Sequence, residues 1–408
     1  MSHTTSCNIL IAGAGLSGLT LAVELGRRPA FRDSAIILID RDAKQKNDRT
    51  WCFWATEAEP LPPVVHRSWD HCYFHAPGFS QQFSFTPYRY QMVRGIDFYR
   101  WALAALESFP NIRRVQATIE RIDAENGLVY TDAGAFQGGM VFNSAYTKVP
   151  LLPPGQMAYP APPLSSGPLP AKQRKTDVFL LQHFKGWHIE TPFPVFDPAI
   201  MTFMDFRIEQ HGQTRFVYVL PFSPTQALVE FTVFSPALLD AAAYDDELQK
   251  YLLRFLDIRK YTVLEEEFGV IPMTNFPFPA TQDGRLMHIG TAGGFVKGSS
   301  GYAFKRTQRK IRAFVDAWER NGIPDPQILR SPWAFRAFDS IFLDALRRRN
   351  ALGRTIFSNL FQNLSPDLVL RFLDEDSSVA DNLRLVSAPP TLPFLRAFFR
   401  QLPNLHRI

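Results

Sequence analysis

A carboxylate set among apolar neighbours is an arrangement from which a protein can donate a proton at neutral pH. In Leu228-Val229-Glu230-Phe231-Thr232 an extended chain would alternate its side chains, so Glu230 shares a face with Leu228, Thr232 and Phe234. Burial in that company disfavours the ionised form and raises the carboxyl pKa, which suits protonation of a base as weak as an alkene. Turned to solvent on an edge strand, the same residue would be an ordinary surface glutamate. Asp205, in Met204-Asp205-Phe206-Arg207, is expected to share a strand face with Met201, Phe203 and Arg207, and serves either as a further acid or as a partner of Arg207. Trp187, Phe203, Phe231, Phe276 and Phe278 either pack the core or line an apolar guest, where each face would stabilise a cation by about 0.5–2 kcal/mol.

The second constellation is Gly13-Ala14-Gly15-Leu16-Ser17-Gly18. Glycines at that spacing permit a tight turn, close approach of backbone to a pyrophosphate, and close helix–strand packing. A helix N-terminus there offers free N–H groups to phosphate. Asp40, 22 residues beyond Gly18, is placed to accept hydrogen bonds from a ribose hydroxyl. A further segment, His288-Ile289-Gly290-Thr291-Ala292-Gly293-Gly294, resembles the glycine-rich stretch that closes over the isoalloxazine in flavoproteins of this fold. NAD dehydrogenases do not usually need that contact, so FAD is the expected dinucleotide. The cofactor-binding candidates are therefore Gly13, Ala14, Gly15, Leu16, Gly18 and Asp40, with Gly290, Thr291, Ala292, Gly293 and Gly294.

These residues need particular elements to position them. An apolar strand at 8–12, a helical pattern at 16–28 and a buried strand at 36–40 open a doubly wound α/β domain. Residues 115–130 read as a hairpin turning at Glu125-Asn126-Gly127, and 140–143 as another strand. Eight prolines between 150 and 170 mark a linker or loop. Alternating strands then run from 179 to 267, with a helix at 245–256; a strand at 285–290 and a helix at 301–320 return the chain to the first domain. The expected fold is α/β: a Rossmann-like FAD domain (1–50, 95–150, 283–325), an inserted β-rich substrate domain (51–94, 178–282), a proline-rich linker (151–177) and a C-terminal helical region (326–408).

Composition narrows the function classes. The chain has 408 residues, 46% hydrophobic, 36 of them Phe, with a net charge of +5. A basic balance suits nucleic acid or an anionic membrane, and the absence of zinc-finger spacing, an RNA-binding signature or a Lys/Arg-dense tail argues against nucleic acid. Cys7, Cys52 and Cys72 give no disulfide framework and no metal-ligand spacing, so a reduced setting and no metal are expected. The start MSHTTSCNILIAGAG lacks the features of a secretory signal, and no apolar run is long enough to span a bilayer. A cytoplasmic protein with at most peripheral membrane contact is expected. Phe394, Leu395, Phe398, Phe399 and Leu402 fall on one helical stripe, with Arg396, Arg400 and Arg407 and no acid from 391 onward; that is either an interfacial helix or one docked on the core. Lys297, Lys305 and Arg306 either meet phosphate or lipid head groups or form a solvated face.

Six segments in order resemble the lycopene cyclase family of bacteria and plants over nearly the whole chain. They are Asp48-Arg49-Thr50-Trp51-Cys52-Phe53-Trp54, Arg94-Gly95-Ile96-Asp97-Phe98-Tyr99, Phe184-Lys185-Gly186-Trp187, Met204-Asp205-Phe206-Arg207, residues 289–294 and residues 366–374. The resemblance implies a lycopene beta-cyclase activity, an intramolecular lyase (EC 5.5.1): an acid protonates the terminal double bond, the carbocation cyclises, and a ring proton leaves, giving gamma- and beta-carotene. It implies Glu230 and Asp205 as catalytic residues, Arg49 and Arg94 among the cofactor contacts, reduced FAD stabilising the cationic transition state, and NAD(P)H only as upstream reductant. Its partners would be lycopene or a related linear carotenoid and a membrane surface. The family's glutamate pair departs here, because Phe231 replaces the second acid and leaves Glu230 the only carboxylate of the motif. Rival readings are a flavin-dependent monooxygenase or halogenase of the same fold, a prenyl-chain reductase, and a carotenoid or flavin carrier. Monooxygenases of this fold commonly carry Gly-Asp at the second flavin segment, whereas Gly290 is followed by Thr291.

Overall fold

The computed structural model describes residues 4–145, 176–278, 281–282 and 284–406. Unbroken apolar runs suit parallel strands covered on both faces, and β1 (Thr4–Ala12) and β2 (Ile36–Asp40) carry such runs, pairing in parallel at the centre of the first sheet. The sheet extends in the order β17 (Thr281–Gln282), β18 (Leu286–His288), β11 (Gly134–Asn143), β1, β2, β8 (Ile112–Gln116), with every pairing from β18 to β8 parallel. One face is covered by α1 (Leu16–Gly26), α2 (Gly95–Leu106) and α4 (Phe304–Asn321), which pack on Ile9, Ile11 and Leu38. The opposite face, showing Leu10, Ile37, Ile39 and Val141, meets Ile122 and Val129 of the hairpin β9 (Ile119–Asp123) and β10 (Leu128–Thr131). The expected hairpin is thus shorter than 115–130. Val115 and Gln116 end β8, and the Ala117 N–H then bonds the Asp40 carbonyl as the chain turns away.

The second sheet has the order β16 (Thr262–Thr274), β12 (Phe179–Glu190), β15 (Gln226–Ser235), β14 (Thr214–Pro221), β13 (Ile200–Asp205), β5 (His71–Ala76), β6 (Phe79–Ser84). A three-stranded sheet of β3 (Thr50–Ala55), β7 (Arg89–Arg94) and β4 (Arg67–Trp69) is interleaved in sequence with β5 and β6, so residues 51–94 are divided between two sheets. Alternation gives the seven-stranded sheet two apolar faces. One, with Val217, Val229 and Val233, is covered by Leu248 and Leu252 of α3 (Ala241–Leu256). The other, with Phe216, Leu228 and Phe234, is covered by the C-terminal helices α5 (Trp333–Arg348), α6 (Leu352–Asn363), α7 (Pro366–Leu373), α8 (Val379–Ser387) and α9 (Thr391–Gln401). Most of the proline-rich segment lies outside the described residues.

Lys297 and Lys305 do not face solvent. Lys297 is 1% exposed and bonds both Asp339 oxygens of α5 at 2.7 and 2.9 Å and Glu375 at 3.3 Å. Lys305 pairs with Glu59 and Asp374, and Arg306 with Glu375. Cations at that depth require partners, and here the pairs tie the start of α4 to the C-terminal helices.

Candidate active site

Strand register brings together two acids far apart in the sequence. On β12, Gly186 stands opposite Glu230 of β15 on one side and Glu267 of β16 on the other, so all three share a face. Two flanking strands stand about 9–10 Å apart, a gap that two glutamate side chains span only by leaning over the middle strand. Gly186 leaves that space free: a Cβ there would lie 3.1 Å from Glu267 Cγ and 3.0 Å from Leu228 Cδ1. The two carboxyls consequently interact with each other. Burial, and then the charge of Glu267, push the Glu230 carboxyl well above the usual carboxylate range; burial also raises Glu267. Thr232 Oγ1 donates to Glu230 at 2.9 Å and Thr50 Oγ1 to Glu267 at 2.7 Å, each favouring the charged form of its acceptor. Two facing carboxyls in low dielectric hold a proton between them, one acid and one base.

Glu230, Cys52, Tyr218 and Tyr302 keep some accessible surface although they lie deep inside the molecule, so that surface faces an internal chamber. Tyr218 is the cross-strand partner of Glu230, and the Tyr90 and Tyr302 hydroxyls stand 3.4 Å apart. Tyr302 lies edge-on to Trp54 at 4.6 Å between ring centroids. Burial raises all three phenols, keeping them neutral. Beside the acids is a small pocket of about 50 Å³ bordered by Asn47, Thr50, Arg94, His188, Leu228 and Glu267. His188, like His66 on the same pocket, has its pKa lowered by burial.

The structure does not bring Asp205 to Glu230. Between Thr202 and Asp205 the pairing of β13 shifts by one residue, and Asp205 comes opposite Val217, on the face covered by α3. There it accepts from Tyr251 Oη at 2.9 Å and from Arg207 Nη2 at 2.5 Å. The bulge therefore reverses the face expected from simple alternation. Of the aromatic candidates, Phe203 lies on the Glu230 side, edge-on to Tyr90 and Tyr218. Trp187 and Phe231 pack beneath α3. Phe276 and Phe278 contact each other, and Phe278 lies against Gly294. Glu267, Thr50, Tyr90 and Tyr218 escaped the sequence reading; in Glu265-Glu266-Glu267 the alternation sends the middle acid to Lys185 and its neighbours to the opposite face, but nothing local identifies which face carries the site.

The two glycine segments meet. Gly18 packs so closely that a Cβ would lie 1.8 Å from the Gly13 carbonyl oxygen, whereas Gly15 has open space before it and no side chain caps α1. Gly290, at φ +65°, stands where a Cβ would come within 2.7 Å of Ser17 Oγ, so residues 290–293 form one turn directly over the start of α1. Thr291, Ala292 and Gly293 lie in that turn, and Gly294 (φ +72°) closes it. Asp40 receives the Ala14 N–H at 2.6 Å, which sets its carboxylate beside the turn. Uncapped N–H groups, open space at Gly15 and an acid at the strand end fit a dinucleotide. Arg94, which borders the pocket beside Glu267, pairs with Asp97 at 2.7 and 2.9 Å, and Arg49 pairs with Asp48 at 2.8 Å. Among the described residues no group of three His, Cys, Asp or Glu is arranged to hold a metal.

A family model described as lycopene cyclase protein matches residues 8–399. A lycopene beta-cyclase of Paracoccus sp. (strain N81106 / MBIC 01143) is 26% identical over 429 residues, covering 97% of each chain. One of Pantoea ananas is 25% identical over 430 residues, covering 98% of this chain and 99% of its own. Among solved structures, the flavin-dependent brominase Bmp2 has a TM-score of 0.58 at 12% identity, covering 94% of this chain and 98% of that one. A geranylgeranyl bacteriochlorophyll reductase-like protein of Thermoplasma acidophilum has a TM-score of 0.55 at 11% identity, covering 99% and 98%. At those identities the structural likeness is one of fold.

Proposed function

We propose that this chain, which belongs to the lycopene cyclase family, is a lycopene beta-cyclase that closes the ψ-ends of lycopene into β-rings with no net redox change. The observation that carries the reading is the buried Glu230–Glu267 pair, which provides a protonated acid and an adjacent base in one enclosed place. Glu230, the more strongly raised, gives its proton to the terminal double bond. The cation attacks the neighbouring alkene and closes the ring, and a ring C–H proton returns to the carboxylate pair, so every proton added is matched by one lost. Tyr218 and Tyr302, backed by the buried rings of Tyr90 and Trp54, border the same chamber with neutral phenols, which favours a passing cation. Asp205, tied to Arg207 and Tyr251, holds β13 beneath α3.

The cradle of Gly13, Ala14, Gly15, Leu16, Gly18 and Asp40, closed by Gly290, Thr291, Ala292, Gly293 and Gly294, would hold FAD, with Arg49 and Arg94 near its ring. When bound and reduced, with NAD(P)H as the upstream reductant, that flavin would supply an electron-rich, anionic ring that favours cationic chemistry in the site. We place the protein in the cytoplasm at a membrane surface, where its apolar substrate resides; among the described residues no helix is long and apolar enough to cross a membrane.

Expression in cells that accumulate red lycopene tests this. Wild type should turn them yellow with a product of unchanged mass. Glu230→Gln should lower cyclisation by about 10²–10⁴-fold, the usual contribution of a general acid, while the purified variant retains its flavin. Glu267→Gln should shift the alkaline limb of the pH–rate profile to lower pH, because it removes the charge that raises Glu230. An oxygenated product, or one heavier by two hydrogens, would reassign the activity.

A further inference from the structure

The C-terminal helices enclose a space unlike the polar pocket beside the acids. A cavity of about 390 Å³ lies between α5, α6, α7, α8 and α9, lined almost wholly by carbon. Its inner end reaches the Glu230 side of the sheet. Phe357 on its wall stacks on Phe206 at 5.8 Å, and the fully buried rings of Phe206 and Phe216 stand between that wall and Tyr218, the cross-strand partner of Glu230, so they must turn aside for a guest to pass from the cavity to the acid. Ser299, also on the wall, is three residues from Tyr302 of the acid chamber.

Its outer end lies at an exposed apolar patch. Trp333 (52% exposed), Leu395 (48%) and Phe398 (37%) both line the cavity and face the surface. Around them α9 shows Leu392, Leu395 and Phe399 at helical spacing, with Leu402 just past its end, and α8 shows Val379, Leu383 and Val386. The stripe cannot turn inward, because α9 is already docked by its other face: Ala397 is buried, and Gln401 accepts from Ser340 Oγ at 2.8 Å and donates to the Thr176 carbonyl at 3.0 Å. Exposed Arg384 and Arg396 stand beside the patch, no Asp or Glu occurs from 391 to 406, and the Asp381 carboxylate is engaged by Arg371 and by the Ser378 N–H at the start of α8. A second copy docked symmetrically would set these arginines near their own images. An anionic bilayer complements both the charge and the apolar stripe.

Resting on the cyclase reading, we propose that this patch seats the protein on an anionic lipid surface and that the cavity behind it receives the polyene from the bilayer, holding its tail while the end reaches Glu230. Flotation with vesicles of phosphatidylcholine and phosphatidylglycerol tests the docking, and conversion of lycopene carried in those vesicles or in detergent micelles tests the path. Wild type should float with anionic vesicles and less so at high salt. Leu392→Asp with Phe399→Asp, both exposed and neither on the cavity wall, and separately Arg384→Glu with Arg396→Glu, should weaken flotation by roughly tenfold or more. Both should lose conversion of vesicle-borne lycopene while keeping conversion in micelles, and retained flavin marks the folded variants. Leu360→Trp, which fills the cavity from its lining, should slow conversion in both carriers without altering flotation. Variants that float and convert vesicle-borne lycopene like wild type overturn the proposal, as does a dimer in solution that the double aspartate variant dissolves. Wild type that floats yet converts no lycopene in micelles fails the cyclase reading instead.

Discussion

At the scale of single residues, the account depends on a carboxyl that stays protonated where most would be ionised. Glu230 and Glu267 both bind their proton more tightly in the folded chain than at the ordinary value of 4.5. The stability they contribute is present below about 4.5 and is lost as pH rises through their folded values, because the unfolded chain ionises freely while the folded one must ionise a buried pair. Glu230→Gln removes that loss. Its melting temperature should exceed that of wild type above neutrality, with the difference shrinking toward pH 4.5 in a thermal scan series; a constant difference would mean that the pair is already ionised. Glu230 was legible in the sequence because alternation put it among Leu228, Thr232 and Phe234. Glu267 was not, since its partner lies 37 positions away across a third strand and only register joins them.

At the scale of elements, glycine decides which side chains meet. Gly186→Ala would place a methyl against Glu267 Cγ and Leu228 Cδ1, turning the Glu267 carboxyl from its partner. Cyclisation should fall by about ten- to a hundredfold, as for other small misplacements of a reacting group, with flavin content unchanged by absorbance. Unaltered turnover would show that the middle strand does not control the pair. Both glycine segments were readable from the pattern strand, turn, helix. Their mutual contact through Gly290 and Ser17 was not, because it depends on β18 lying beside β11 in the sheet. The bulge between Thr202 and Asp205 is a similar case: period-2 reasoning assigns Asp205 a face, and one displaced residue reverses it.

At the scale of the whole molecule, the α/β class and the order of strands and helices followed from hydrophobic periodicity, while the assembly of parts rests on long-range ion pairs that sequence could not pair. Lys297 joins Asp339 of α5 and Glu375, two residues past α7, to the turn before α4. Lys297→Ala leaves Asp339 without its cation in a buried setting and should cost about 3–5 kcal/mol, read as a lower apparent melting temperature; a change within a few tenths of a degree would show that the pairs are replaceable by water. The C-terminal helices pack on the face of the seven-stranded sheet that carries Leu228 and Phe234, so they share a core with that sheet rather than forming a separate module.

In the proposed reaction a carboxylic acid of this protein gives its proton to a carbon of the substrate and nothing is oxidised or reduced. The most direct measurement is the mass of the carotenoid formed anaerobically in deuterium oxide by protein with reduced flavin. The account predicts one deuterium gained for each ring closed, none with Glu230→Gln, and a product isomeric with its substrate in ordinary water. Rings that form without deuterium, or a product differing from the substrate by two hydrogens or an oxygen, would contradict it.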